Sequence, residues 1–189
     1  MKSLLFCLVL PAVVALASCS TPEKYYRLSA DGPPPPTGAG FALGVGPVSL
    51  PDYIDRAELV FQSSEERFEV PFEQRWAGSL RDTATRAIGT NLARHLGTGN
   101  LHVYPWPPGT LLDYQVRVDV RQFHGRSEGD AILEASWTVE DGRTGQVLVR
   151  RAGNYVEPVT IDGYEGIVAA ETNLLSQFSK AIAESFPRR

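Results

Sequence analysis

The apolar positions of this chain repeat with two different periods, and the change of period marks out its elements. From Leu112 to Val120, Leu112, Tyr114, Val116, Val118 and Val120 alternate with Asp113, Gln115, Arg117 and Asp119, the pattern of a strand with one buried face. The polar, glycine-containing segment from His124 to Asp130 reads as a loop, after which Ala131, Leu133, Ala135, Trp137 and Val139 alternate again. Asp141-Gly142-Arg143-Thr144-Gly145 is turn chemistry, and a third strand is expected from Gln146 to about Val156. Three strands joined by short polar segments predict an antiparallel meander.

From Ser79 the period becomes helical. Leu80, Ala84, Ala87, Ile88, Leu92 and Leu96 fall on one face; Ser79 is placed to cap the first turn, with Asp82 three residues on. Gly97 sits where a left-handed residue ends such a helix. A second amphipathic helix is expected from Gly163 to Phe186, with Asp162 and Glu165 spaced as a capping-box variant and Pro187 beyond its end. Its inner stripe reads Ile167, Ala170, Leu174, Phe178, Ala181 or Ile182, and Ser185.

Earlier in the chain the signals are shorter. Tyr25 to Leu28 suits a first strand, Phe41 to Leu50 a buried strand ending at Pro51, and Ala57 to Gln62 with Arg67 to Val70 a hairpin around Ser63-Ser64-Glu65-Glu66. Asp31 to Gly40 contains four consecutive prolines, Pro33 to Pro36, and reads as a loop of extended polyproline geometry. Two helices need a surface to cover, and the meander offers one. The predicted fold class is α+β, an antiparallel β-sheet with two amphipathic helices packed mainly on one face.

The first residues are of another kind. Met1 to Ser18 has a charged start at Lys2, an apolar run from Leu4 to Leu16 and small residues before Cys19, the anatomy of a secretory signal. The run is shorter than the roughly 20 residues of a spanning helix and is interrupted by Pro11, which disfavours a permanent membrane segment. Leu16-Ala17-Ser18-Cys19 resembles the bacterial lipobox at all four positions. That resemblance implies cleavage between Ser18 and Cys19 and acylation of Cys19 by a diacylglycerol and an N-acyl chain. It also implies, with Ser20 rather than aspartate following, an outer-membrane destination facing the periplasm. The organisation expected is therefore a cleaved signal at 1–18, a lipidated tether at 19–24 and a single domain at 25–189 carrying the proline-rich loop at 31–40.

Composition sharpens this reading. The chain has 189 residues and two cysteines, Cys7 and Cys19, both in this first segment. Cleavage would discard Cys7 and leave Cys19 with no disulfide partner. It would also remove Lys2, taking the formal net charge from -4 to -5, a balance that argues against nucleic acid and against a polybasic membrane contact.

Candidate chemistry is sparse. His95, His102 and His124 have no second histidine or cysteine at ligand spacing, so no local zinc site is spelled out and each is read as structural or solvated. Gly44-Val45-Gly46-Pro47 lacks the third glycine of a dinucleotide loop, and there is no Gly-x-Ser-x-Gly nucleophile elbow. Nothing points to an enzyme, a metal or a cofactor beyond the acyl chains on Cys19. Tyr104-Pro105-Trp106-Pro107-Pro108 is the more suggestive cluster. Rigid aromatic and proline residues make docking surface at low entropic cost, although Trp106 could equally plug the edge of the core, and a lipid groove would use the same residue types.

Several segments converge on one family: Tyr25-Tyr26-Arg27-Leu28, the run from Gly44 to Arg56, Arg75-Trp76-Ala77, Tyr104-Pro105-Trp106 and Asp113 to Val120. Together they resemble the ABC-type transport auxiliary lipoproteins, which include paraquat-inducible protein C-like lipoproteins. The resemblance implies an outer-membrane lipoprotein working with a mammalian-cell-entry (MCE) type lipid transport system, without ATPase or cofactor. It would hold the conduit against the outer membrane through an MCE-domain partner, with a homo-oligomeric ring among the arrangements open to it. Pro51, Asp52, Tyr53, Tyr104, Pro105 and Trp106 are the candidate partner contacts. The acidic stretch from Ser63 to Phe72 departs from the family pattern. The competing reading is an assembly lipoprotein of another envelope machine, such as cell-wall synthesis or secretion.

Overall fold

The computed structural model describes residues 22–30, 32–38 and 40–187. Ser18 and Cys19, the expected cleavage and acylation residues, lie outside the described residues. The meander is present and longer than its alternation suggested: β7 (Tyr114–Arg126), β8 (Asp130–Asp141) and β9 (Val147–Pro158) pair antiparallel in order. Before them come β1 (Lys24–Tyr26), β2 (Leu43–Ser49), β3 (Phe61–Ser64), β4 (Arg67–Glu69), β5 (Gln74–Trp76), α1 (Leu80–His95) and β6 (Leu101–Val103); α2 (Tyr164–Glu184) follows.

The α+β class stands, with one refinement. The main sheet is mixed, because β2 runs parallel to both β6 and β7, and β3 runs parallel to the far end of β7. Alternation in a single strand reports that one face is buried but says nothing about a neighbour's direction. The parallel relation of β2 and β6 follows from α1 crossing between them. Leu43, Gly44 and Val45 are all buried, as a parallel interior strand requires.

The predicted loop at His124 to Asp130 shrinks to a turn at Ser127 to Gly129. His124 and Gly125 instead pair with Ile132 and Ala131, and the guanidinium of Arg126 holds the carboxylate of Asp130 at 2.6 and 2.7 Å. Polar side chains there have partners within the fold, so the strand runs on.

One face of the sheet carries the core. Val116, Val118, Val120 and Phe123 of β7 and Ala131, Leu133, Ala135, Trp137 and Val139 of β8 are buried, as are Leu174, Phe178 and Ile182 of α2. Trp137 packs edge-on to Phe178 at 5.5 Å, and its indole N–H donates to Ser185 Oγ at 3.0 Å. α1 lies alongside α2 over β2, burying Ala84, Ile88 and Leu92. Its cap is the one expected: Ser79 Oγ accepts from the Asp82 N–H at 3.2 Å, and Gly97 beyond its end has φ 65°. The capping box at α2 is not formed. Gly163, with φ 87°, takes the N-cap position, which puts Asp162 one residue too early, and Glu165 pairs with Lys24 instead.

The amino-terminal strand is held apart from the main sheet. β1 pairs parallel with β5, matching Tyr25 to Arg75 and Tyr26 to Trp76, and Trp76 is buried. The proline-rich segment crosses the end of α1, where Arg94 donates to the carbonyls of Gly32 and Pro33.

Candidate functional site

The candidate contacts separate into two groups. Tyr104 and Pro105 leave the end of β6 and meet the end of β2, where the Tyr104 N–H donates to Val45 O at 3.0 Å. Gly46 makes this approach possible. Its φ is 119°, and a Cβ on it would lie 2.5 Å from the Cβ of Tyr104. The Gly46 carbonyl also accepts from the Gln115 side chain at 2.9 Å, so the crossing is fixed from β7 as well.

Trp106 packs at the edge of the core, as one of the readings considered for it expects. The edge of its ring is packed against Gly44, where a Cβ would stand 3.2 Å from Cη2, and it meets Tyr104 in a T-shaped contact at 5.4 Å. The indole is half-buried and braces the loop. Tyr104 and Pro105 are exposed and present it outward.

Between this loop and the first turns of α1 lies a cleft of about 470 Å³. Pro47, Leu50, Thr85, Tyr104 and Pro105 wall it, and Arg81 and Asp82 stand at its rim. The lining mixes stiff apolar residues with the polar Ser49 and Thr85 and the charged Arg81 and Asp82, a surface able to receive a side chain of a partner. Pro47, Arg81 and Thr85 escaped the sequence reading. The Gly44-x-Gly46 spacing was the one local hint that another backbone approaches β2 there.

Pro51, Asp52 and Tyr53 form a tight turn, with the N–H groups of Ile54 and Asp55 on the Pro51 carbonyl at 3.1 and 3.2 Å. Asp52 is exposed, Pro51 is half-buried, and the turn adjoins the cleft through Leu50. Tyr53 goes elsewhere. Its ring stacks at 4.7 Å on Phe68, and its hydroxyl reaches His124 Nδ1 at 2.9 Å. The other ring nitrogen of His124 meets Gln62 Oε1 at 3.2 Å, while the Gln62 amide N–H donates to the Glu65 carbonyl. This sets the histidine as neutral, with Nε2–H donating and Nδ1 accepting. Burial, with Arg126 adding to it, lowers the His124 pKa to about 4; burial raises the Tyr53 hydroxyl to about 12. The pair is a structural polar core under the turn.

His95 is exposed, and His102 bonds Asn100 at 3.0 Å. Among the described residues no group of three or more His, Cys, Asp or Glu side chains could hold a metal ion. No described helix is long and apolar enough to cross a membrane.

The family model of the ABC-type transport auxiliary lipoprotein component matches residues 26–183. The intermembrane transport lipoprotein PqiC of Escherichia coli (strain K12) is 29% identical over 187 residues, covering 96% of this chain and 97% of that protein. PqiC of Shigella flexneri matches to the same extent. A crystal structure of an uncharacterized protein superposes with a TM-score of 0.72 at 24% identity, over 87% of this chain and 98% of the other. A Xanthomonas campestris protein gives 0.65 at 18%, over 84% and 92%. These two show the same fold.

Proposed function

Because the chain belongs to the ABC-type transport auxiliary lipoprotein family, we propose that it is the lipid-anchored accessory of an intermembrane lipid transport system, fixed in the outer membrane through Cys19 and docking an MCE-domain protein. The observation that carries this reading is the family match over residues 26–183, reinforced by the full-length likeness to PqiC. The transported lipid moves through the partner, and this subunit's work is positional.

The cleft between Tyr104-Pro105 and the end of β2 is the docking element in this reading. Tyr104 offers a large exposed ring that is already ordered by Trp106, so little conformational freedom is lost on binding. Each acyl methylene on Cys19 would add about 0.8 kcal/mol of membrane affinity, so several chains suffice to hold the domain without a spanning helix.

Affinity capture of the acylated protein in mild detergent, with Cys19→Ala as a comparison, tests the proposal. Recovery of an MCE-domain protein by the acylated form supports it. Folded, acylated protein that captures none refutes it.

A further inference from the structure

Lys24 is five residues beyond Cys19, a separation that an extended chain spans in at most about 18 Å. β1 is not free to drift from the body: the Lys24 N–H donates to Glu73 O at 2.7 Å, and the strand is paired to β5. Its other fastening is to the start of α2, through Lys24 Nζ and Glu165 Oε1 at 3.4 Å and through the Tyr26 hydroxyl to the same carboxylate at 3.4 Å. β7 alone, at 13 residues, is about 40 Å long. A tether that short and a body that long fix which pole stands nearest the membrane.

That pole carries exposed apolar side chains. Tyr25 is 61% exposed, Phe72 67% and Ile161 58%. Tyr25 and Arg75 are register partners, and the Arg75 guanidinium lies 5.9 Å from the centre of the Phe72 ring. Ile161 precedes α2, its carbonyl against Gly166 in the same first turn that carries Glu165. We infer that this pole rests on the phospholipid surface that holds the anchor, with Tyr25, Phe72 and Ile161 entering the headgroup boundary. The inference rests on Cys19 being acylated, as proposed above.

The chemistry fits an interface rather than a second copy of this chain. Aromatic rings flanked by a cation suit the headgroup level, where one side is apolar and the other wet. Around them stand Glu23, which accepts from the Tyr25 hydroxyl, Glu69, Glu73, Asp162 and Glu165 against Lys24, Arg75 and Arg67, the last paired to Glu69 at 3.0 Å, so negative charge remains in excess. Two such surfaces would repel each other, and anionic lipid would repel the surface too, so the occupant is a zwitterionic phospholipid face. At the far end, Leu111, 85% exposed, precedes the start of β7, at the opposite end of that strand from Arg126.

The test uses the mature acylated protein in phosphatidylethanolamine and phosphatidylcholine vesicles, with acylation verified by mass. The thiol of Cys19 is then blocked, so Phe72→Cys, Ile161→Cys and Leu111→Cys each take one environment-sensitive fluorophore. Quenching by shallow spin-labelled lipid is expected to be several-fold greater at positions 72 and 161 than at 111, and to fall when phosphatidylglycerol is included. Equal quenching at all three positions, or more at 111, on protein of verified acyl mass overturns the placement while leaving the transport reading intact. A mass showing unmodified Cys19 overturns the anchor, and the placement with it.

Discussion

The Tyr53 hydroxyl and His124 Nδ1 stand 2.9 Å apart beneath the turn that follows β2, and the histidine is 1% exposed. Removing the hydroxyl leaves a buried acceptor unpaired. Tyr53→Phe is therefore expected to cost about 1–3 kcal/mol in urea unfolding, with the fold retained.

The same pair makes stability depend on pH. The folded-state pKa of His124, about 4, is below its ordinary value of 6.5, so the unfolded chain takes up the proton first as pH falls. The contribution is complete above about 6.5 and is lost on acidification towards 4, amounting to roughly 3 kcal/mol at most. Unfolding of wild type and His124→Gln followed from pH 7 to pH 4 should show a steeper loss in wild type.

Glu171 acts in the opposite direction. It is 3% exposed on α2, its Oε2 has no hydrogen-bond partner, and burial raises its pKa to about 8. The folded state holds this proton more tightly than the unfolded chain, so the cost appears as pH rises from about 4.5 and is complete above 8. Glu171→Gln should be more stable than wild type at pH 9 by at most about 5 kcal/mol, with the gap closing by pH 5. A gap that stays constant with pH would show that Glu171 does not titrate in the fold.

Gly46→Ala tests the crossing of β2 and the β6 loop. The new methyl would meet Tyr104 Cβ at 2.5 Å on a backbone with φ 119°. Both effects destabilise, by about 2 kcal/mol or more together, and the Tyr104 loop must move. Thermal unfolding checks the first consequence, and a shift in Trp106 fluorescence the second.

Tyr104→Ala separates docking from folding. The ring is 49% exposed, so unfolding should change by less than about 0.5 kcal/mol, while partner affinity should fall roughly tenfold. Isothermal titration of the acylated protein with the proposed MCE-domain partner measures the second quantity.

Local chemistry was legible wherever one element decides its own form. Ser79 and Gly97 bounded α1, and the alternation from Leu112 announced β7 because one face of that strand is buried. What escaped depends on partners distant in sequence. The direction of β2 is set by α1 and β7, and the strand through His124 is licensed by Tyr53, 71 residues away. Asp162 failed as a cap because Gly163 could adopt a positive φ and took that position. Of the candidate contacts, Tyr104, Pro105 and Trp106 came together as a unit, since they are consecutive and rigid. Tyr53, named with them as a candidate contact, is instead half-buried on His124, a partner the local sequence does not reveal.

The most direct measurement is photo-crosslinking in intact cells from position 104, with position 53, half-buried on His124, as the comparison. The proposed docking predicts that a crosslinker replacing Tyr104 captures an MCE-domain protein, whereas one replacing Tyr53 captures little. Capture of another envelope component from position 104, or of no protein while the chain is folded and acylated, would contradict it.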